Sequence, residues 1–250
     1  MSKPFVALQL YTVRDFTEND VAGTLRKVKA MGYDFVELAG TYGMGFAEFK
    51  AILDEIGLVA ISAHVQYDDL RADMDGTIMS YKSLGCKYVI IPMMANDLLP
   101  GGTNCTKEFF ANFCEACKKA DVVPAYHNHA HEFEKLPSGE FVLDKLFADV
   151  PALQAEIDTG WVTAADLCPE AYIKKYTGRC PVVHLKDTER VGDKYEDRPV
   201  GKGSQNMPGI VDAAIAAGAA GLVAELDRAV GLSSLDAAKI SREYLKSLGC

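Results

Sequence analysis

The chain alternates short β-rich segments with longer amphipathic segments, and this alternation repeats eight times. We predict strands at residues 5–11, 34–38, 58–64, 88–92, 122–129, 153–158, 181–186 and 221–226. We predict helices at residues 20–31, 46–56, 75–84, 106–120, 141–147, 169–176, 208–217 and 234–248. Because strict alternation with short turns is typical of a parallel sheet, and eight units favour its closure, we predict an α/β protein folded as a single (β/α)8 TIM barrel over residues 1–250.

Glycine follows four of the predicted helices, at Gly32, Gly57, Gly85 and Gly218. Since glycine tolerates the left-handed backbone that ends a helix, these positions indicate tight helix-to-strand turns. The longest segments without a predicted element are residues 93–105 and 188–207, and both follow strands. TIM barrels build their active sites from segments in this position.

Composition narrows the partners that the chain is expected to have. Its 26 basic and 35 acidic side chains give a net charge of −9, which disfavours nucleic acid because that affinity comes mainly from Lys and Arg. No apolar run approaches the roughly 18–20 residues that span a bilayer, and residues 1–4 lack the zones of a signal peptide. Seven scattered cysteines indicate reduced thiols. We expect a cytoplasmic protein whose partner is a small molecule; the sequence leaves a homo-oligomer open.

Acidic and imidazole side chains gather where predicted strands end. Glu132, Asp158, His184 and Glu225 lie at or just after strands five to eight, and all five histidines fall near strand ends rather than in helices. If these groups converge at one end of a barrel, three carboxylates and an imidazole form a hard, mostly oxygen site for a divalent ion.

Five motifs resemble one known family. They are ALQLYTVRD at residues 7–15, GYDFVEL at 32–38, YHNHAHEF at 126–133, EIDTGW at 156–161 and HLKD at 184–187. Together they resemble the sugar phosphate isomerase/epimerase family, the xylose-isomerase-like TIM barrels. The resemblance runs from residue 5 to about residue 228 and does not separate the activities within that family.

The resemblance implies a metal centre and two proton-transferring groups. One divalent ion is expected on Glu132, Asp158, His184 and Glu225, with manganese favoured over magnesium, cobalt or zinc. Glu132 and Glu225 would also act as the acid/base pair. The ligand after strand five stays open, because His127 occupies the position where many members carry this Glu within the strand, and Glu134 is also near.

Other side chains at strand ends are expected to bind substrate. Lys186 would hold a developing oxyanion or a substrate hydroxyl. Trp161 stands where epimerases of the family often carry a substrate-contacting His, so it would form an apolar wall or a sugar-stacking surface. The full expected set is Glu37, His64, His127, His129, Trp161 and Lys186.

The predicted activity is that of a divalent-metal-dependent isomerase or epimerase of a small keto-sugar or polyol-derived ketone. Proton transfer would pass through a metal-stabilised enediolate. The alternative is a metal-dependent dehydratase or lyase acting on a 3-keto-sugar, keto-glycoside or inosose. An apurinic-site endonuclease relative is less favoured because five histidines are few for its three-metal cluster, and a non-catalytic sugar-binding barrel is a further alternative.

Overall fold

The computed structural model of the chain describes residues 3–250. Eight parallel strands close into a barrel with helices between them, which confirms the predicted α/β TIM barrel. The barrel strands are β1 (Phe5–Gln9), β2 (Phe35–Leu38), β3 (Val59–His64), β4 (Tyr88–Ile91), β5 (Val123–His127), β6 (Gln154–Asp158), β7 (Val182–Leu185) and β10 (Gly221–Ala224). Around the barrel they run in the order β1, β10, β7, β6, β5, β4, β3, β2.

Helices connect the strands and form the outer layer. They are α1 (Arg14–Thr17), α2 (Val21–Ala30), α3 (Phe46–Ile56), α4 (Tyr67–Ala72), α5 (Met74–Ser83), α6 (Lys107–Lys119), α7 (Val142–Asp149), α8 (Thr159–Ala164), α9 (Pro169–Lys175), α10 (Met207–Ala216) and α11 (Ser234–Ser247). Short 3₁₀ turns cover Leu10–Val13, Asn96–Leu98 and His131–Phe133. Helix α3 ends as predicted, because Gly57 takes a left-handed φ of 74°.

The segment at residues 188–207, predicted to be irregular, contains an antiparallel hairpin instead. Its strands are β8 (Asp187–Val191) and β9 (Lys194–Arg198), with Val191 paired to Lys194. A two-residue loop joins them, and Gly192 supplies its positive φ of 62°. The prediction was wrong because the hairpin is rich in charged residues and lies outside the barrel, so it lacks the apolar pattern of a buried strand.

The barrel interior changes from apolar to polar towards the carboxyl ends of the strands. Near the amino ends, Ala7, Ala125, Val182 and Val223 pack in one cluster with neighbouring aromatic side chains. Because side chains alternate along a strand, the residue two positions later points to the same interior face. Those later positions carry polar groups: Gln9, His127, His184 and Glu225. The fold therefore places the ionisable side chains together at the mouth of the barrel.

Candidate active site

Four side chains at the barrel mouth, His127, Asp158, His184 and Glu225, form what we term the mouth cluster. One nitrogen or carboxylate oxygen from each lies within 4.8 Å of the others, and all four residues are buried. His127 and Asp158 are the last residues of β5 and β6. His184 lies in β7, and Glu225 directly follows β10. Adjacent parallel strands that end at one level thus bring these groups together.

The mouth cluster brings two lone-pair atoms face to face. His127 Nε2 and Asp158 Oδ2 are 3.4 Å apart. His127 Nε2 has no hydrogen-bond partner within residues 3–250, whereas Asp158 Oδ2 also lies 3.1 Å from the Lys186 ammonium. His127 Nδ1 lies 3.1 Å from the carbonyl oxygen of Pro92, which can only accept, so Nδ1 carries the proton of the neutral ring. His127 Nε2 is therefore a buried acceptor that faces a carboxylate oxygen and lacks a donor, and a metal ion between the two atoms would satisfy it, so the site fits a metal ion.

The remaining contacts of the cluster support the same geometry. His184 Nδ1 is 3.0 Å from Glu225 Oε2 and 3.9 Å from Asp158 Oδ2. His127 Nε2 is 3.9 Å from Glu225 Oε2. Burial, reinforced by the nearby charges of His184 and His64, lowers the pKa of His127 to about 3 and keeps its ring neutral. Two carboxylates and two imidazoles are a donor set that divalent transition metals accept.

Lys186 contributes the one ammonium group that contacts this cluster in the described part of the chain. Its Nζ lies 3.1 Å from Asp158 Oδ2, 3.0 Å from Glu225 Oε2 and 2.8 Å from Asp227 Oδ2. Burial opposes its charge, but these three carboxylates outweigh burial and hold the Lys186 pKa well above its usual value. Three carboxylates around one ammonium leave the mouth net negative, which favours a cation there.

Below the mouth lies a second group, Glu37, His64, Glu156 and His184, which we term the inner quartet. His184 Nε2 is 2.6 Å from Glu37 Oε1 and 3.3 Å from Glu156 Oε1. His64 Nε2 is 2.7 Å from Glu156 Oε2 and 3.1 Å from Glu37 Oε1. The two imidazole rings stack with centroids 5.2 Å apart. The Nε2 atoms of His64 and His184 therefore each contact two carboxylates.

Charges balance within the inner quartet. Burial disfavours the imidazolium of His64, but Glu37 and Glu156 outweigh it and raise the His64 pKa to about 10. The same two carboxylates, with Glu225, raise the pKa of His184 well above its usual value. A second metal-compatible group, His64, His127, Glu156 and His184, overlaps the quartet. Because carboxylates already engage Nε2 of His64 and of His184, the mouth cluster is the better metal site.

The quartet fixes which nitrogen of His184 faces the mouth. A Glu37 oxygen accepts from His184 Nε2, and Gln9 Nε2 donates to the same oxygen over 2.9 Å. With its Nε2 proton held there, His184 turns Nδ1 towards Asp158 and Glu225. Carboxylate partners of this kind orient metal-binding imidazoles in many proteins.

Glu132, expected from the family pattern as a metal ligand and acid/base group, does not reach the mouth cluster. Its carboxylate accepts from the Tyr126 hydroxyl over 2.7 Å and from the His129 backbone N–H over 2.8 Å, and it lies 3.2 Å from His131 Nε2. Burial raises its pKa. Strand β5 ends at His127, so the chain turns away before residue 132. Glu134 is exposed, and His127 is the strand-five group in the cluster.

Five of the six residues expected to bind substrate line one of two adjoining cavities, and Glu37 does not. A cavity of about 570 Å³ opens above the mouth cluster and is lined by His64, His127, His129 and Lys186, together with Glu225. Trp161 lines an adjoining cavity of about 750 Å³. Glu37 lines neither of these two cavities, because it is completely buried within the inner quartet.

Two important residues were outside the predicted site. Glu156 completes the inner quartet, and Asp227 contacts Lys186 and lines both cavities. A signal for both was present in the sequence: each lies two residues from a predicted ligand, Asp158 or Glu225, and alternation along an extended chain directs such neighbours to the same side.

Comparison with known proteins agrees with this architecture. The model of the xylose isomerase-like TIM barrel family matches residues 25–248. The chain belongs to this family. Comparison with curated protein sequences gave no significant match. Within residues 3–250, none of the helices has the length and apolar character needed to cross a bilayer.

Several solved structures superpose along nearly the whole chain. A sugar phosphate isomerase/epimerase from Parabacteroides distasonis is 26% identical, with a TM-score of 0.81 and 98% of each chain covered. A zinc-bound IolI protein is 13% identical, with a TM-score of 0.74 and coverage of 98% of this chain and 97% of that one. A 3-keto-D-glucoside 4-epimerase from E. coli is 16% identical, with a TM-score of 0.71 and coverage of 99% and 100%.

Proposed function

We propose that this barrel is a divalent-metal-dependent isomerase or epimerase of a small keto-sugar or polyol-derived ketone. The observation that carries the proposal is the buried acceptor His127 Nε2, which has no hydrogen-bond partner within residues 3–250 and faces Asp158 Oδ2. In the proposed site the ion is held by His127, Asp158, His184 and Glu225. When bound, it would polarise a substrate carbonyl and stabilise negative charge that develops on the oxygen.

The ligands proposed at the mouth cluster favour a metal other than the manganese expected from the family resemblance. With His127 in place of Glu132, they are two imidazole nitrogens and two carboxylate oxygens. Imidazole ligands suit zinc better than manganese or magnesium, so we now propose zinc ahead of manganese. The zinc atom named for the IolI structure supports a zinc-compatible site in this fold.

Glu225 is the proposed base that removes the substrate proton. It lines the cavity above the mouth cluster. Burial acts to raise its pKa, but Lys186 and His184 outweigh burial and hold the Glu225 pKa well below its usual value. The group is therefore an anion at neutral pH, which is the protonation state that a general base requires.

The position of Glu132 favours isomerisation over epimerisation. Epimerisation requires a second proton-transferring group on the opposite face of the substrate, and the family pattern assigns that role to Glu132. Because the Glu132 carboxylate is held by Tyr126 and the His129 backbone, Glu225 would act alone. One base moves a proton between adjacent carbons on a single face, which is the proton transfer of an isomerase.

Lys186 supports elimination as a second candidate reaction. Its ammonium lies where the two cavities meet, since both are lined by Lys186 and Asp227. There it could donate a hydrogen bond to the oxygen of a group that leaves the substrate. The same proton removal by Glu225 would then give a dehydratase or lyase.

An exchange experiment distinguishes these reactions. Zinc-loaded or manganese-loaded protein is incubated with aldoses, ketoses and 3-keto-sugars in D2O, and carbon-bound deuterium is followed by NMR. Isomerisation gives a product with a moved carbonyl, epimerisation gives an inverted carbon, and elimination gives a new double bond. The isomerase or epimerase proposal requires a moved carbonyl or an inverted carbon. A new double bond alone would support the elimination candidate instead, and a panel without exchange or product would contradict both.

Glu225→Gln and Glu132→Gln form the matched pair of variants. We expect Glu225→Gln to slow exchange by about 10²–10⁴-fold, the usual contribution of a positioned base. Glu132→Gln should retain activity within about tenfold. The opposite pattern would return the catalytic role to Glu132.

A further inference from the structure

The second cavity lies beside the mouth cluster and shares a wall with the first. Lys186 and Asp227 line both spaces, which measure about 570 and about 750 Å³. Each volume alone is within the range of roughly 300–1,000 Å³ that small-molecule sites occupy. Two such spaces in contact offer room for a ligand with two parts, joined beside Lys186.

The hairpin of β8 and β9 covers the second cavity and is fixed on two sides. Asp197 Oδ2 accepts from the backbone N–H groups of Asp227, over 3.2 Å, and Arg228, over 3.1 Å. The Tyr195 hydroxyl donates to Asp166 Oδ1 over 3.1 Å. These bonds connect the hairpin to the segments after β10 and after α8. The cavity is therefore part of the folded structure before any ligand arrives.

The lining of the second cavity suits a hydroxylated ring. Trp161 and Tyr195 provide aromatic surfaces, and Trp161 Nε1 is a buried donor that has no hydrogen-bond partner among residues 3–250. Acidic and basic side chains alternate with them and offer both acceptors and donors. Aromatic walls with a few polar groups are typical of sites that bind small organic molecules.

Charge argues against a phosphate in this space. Its lining carries four carboxylates and three cationic groups. The nearby Gly201–Lys202–Gly203 turn resembles a phosphate-binding loop in sequence, but the N–H groups of Gly201 and Gly203 each donate to Asp187 Oδ2 over 2.9 Å. Because Asp187 already accepts from both N–H groups, the turn does not offer them to a phosphate. With four carboxylates in its lining, the second cavity fits an uncharged group better than an anion.

We propose that the second cavity is a subsite for an uncharged sugar or polyol ring linked to the sugar that reacts at the mouth cluster. This inference rests on the proposed function and names its substrate class: a disaccharide or other glycoside rather than a phosphorylated monosaccharide. The linkage between the two rings would lie beside Lys186, whose Nζ is 5.0 Å from the centre of the Trp161 ring.

Trp161 provides the readout, because it is the only tryptophan in the sequence. Fluorescence titrations compare cellobiose and lactose with glucose, galactose and glucose 6-phosphate, using both metal-free and zinc-loaded protein. We expect the disaccharides to change the Trp161 emission and to bind at least about tenfold more tightly than the monosaccharides, or about 1.4 kcal/mol. Glucose 6-phosphate should bind no more tightly than glucose.

Three variants in the β8–β9 hairpin test whether the tighter binding of disaccharides comes from the second cavity. Tyr195→Ala should remove the advantage of disaccharides while leaving monosaccharide affinity within about twofold. Tyr195→Phe keeps the ring and loses only the bond to Asp166, so it should bind disaccharides nearly as well as the parent protein. Glu189→Ala, on the same hairpin but outside the cavity lining, is the matched control and should change nothing.

Several results would overturn the subsite. They are equal affinity for disaccharides and monosaccharides, tighter binding of glucose 6-phosphate than of glucose, equal behaviour of Tyr195→Ala and Glu189→Ala, or no binding by any of these sugars. The outcome is separate from that of the proposed reaction. A protein that binds disaccharides through Tyr195 but exchanges no proton would keep the subsite and lose the isomerase proposal.

Discussion

The mouth cluster and the inner quartet are built from the same kinds of side chain and share His184, yet their hydrogen bonding differs. In the quartet, the Nε2 atom of each imidazole faces two carboxylates at 2.6–3.3 Å, and the charges cancel. In the mouth cluster, His127 Nε2 and Asp158 Oδ2 present lone pairs to each other. Carboxylate oxygens without a hydrogen bond occur in both regions, but Glu37 and Glu156 contact an imidazolium and Asp158 contacts the Lys186 ammonium, whereas His127 Nε2 has no donor in the described residues.

The difference indicates how to separate a structural polar cluster from a functional one. A buried group of charges that satisfies itself stabilises one arrangement of the chain and needs no ligand. A buried group that leaves an imidazole acceptor without a donor, as the mouth cluster leaves His127 Nε2 within residues 3–250, has a requirement that a bound metal ion would meet. Asp158 and Glu156 make the comparison experimentally clean, because they lie two residues apart on the interior face of the same strand.

The largest expected effect is on metal binding at the mouth. Asp158→Asn removes a charged ligand, so we expect zinc affinity to fall by more than the roughly 10–100-fold typical of changes to groups that only support a ligand. The metal content after dialysis against buffered zinc, measured by atomic emission, provides the test. A variant that still holds one ion per chain would remove Asp158 from the site.

Glu156→Gln should lower the folding stability of the protein and leave its metal binding intact. It leaves His64 and His184 with one carboxylate fewer, and breaking a buried ion pair costs about 3–5 kcal/mol of folding stability. Denaturant unfolding of the metal-free protein measures this loss, while the zinc content, measured as for Asp158→Asn, should stay at one ion per chain. A Glu156→Gln protein that is as stable as the parent, or that loses the ion, would remove the distinction between the two regions.

Glu37→Gln tests the connection between the two regions. The amide cannot accept from His184 Nε2 as a carboxylate does, so His184 should be held less firmly with Nδ1 towards the mouth. We expect zinc affinity to fall by about 10–100-fold while one ion per chain still binds at saturating zinc. Isothermal titration calorimetry gives both values. Unchanged affinity would show that the quartet has no influence on the mouth.

Glu132→Gln is expected to have a smaller effect on stability and to leave metal binding intact. The amide keeps the shape of the side chain but weakens the bonds from Tyr126 and His129, which suggests a loss of about 1–3 kcal/mol in the free energy of unfolding. Zinc stoichiometry should stay at one ion per chain. Loss of the ion in this variant would restore Glu132 as a ligand.

The smallest expected effect is in an ion pair far from both regions. Asp144 accepts bonds from Lys175, Tyr176 and Tyr172. Burial acts to raise the Asp144 pKa, but these bonds outweigh it and lower the pKa. The stability that this group contributes is therefore present above its unfolded pKa and is lost as pH falls through its lower folded pKa. Asp144→Asn should flatten the dependence of the unfolding temperature on pH in that acidic range without changing metal binding, and an unaltered pH profile would contradict this assignment.

Much of the architecture followed from local patterns in the sequence. The eight barrel strands and eight of the helices were predictable because apolar periodicity and helix-ending glycines such as Gly57 reflect local backbone preferences. The short helices α1, α4 and α8 were not predicted. The β8–β9 hairpin was not, since its charged residues are held by contacts with distant segments, including those from Asp197 to Asp227 and Arg228.

The candidate site was predictable in part, for a related reason. Asp158, His184 and Glu225 could be placed together because each sits at the end of a strand. The proposed exchange of Glu132 for His127 rests on where β5 stops and where the following 3₁₀ turn directs its side chains, and no local pattern in the sequence records that. The inner quartet depends on pairing across the barrel, between strands far apart in sequence.

The central claim is that His127, not Glu132, completes a metal site with Asp158, His184 and Glu225. Crystals grown with zinc, with anomalous diffraction measured at the zinc edge, test it directly. We predict one peak at about 2.0–2.2 Å from His127 Nε2, His184 Nδ1 and an oxygen of each of the two carboxylates. A peak coordinated by Glu132, or crystals with no zinc at the barrel mouth, would contradict the account.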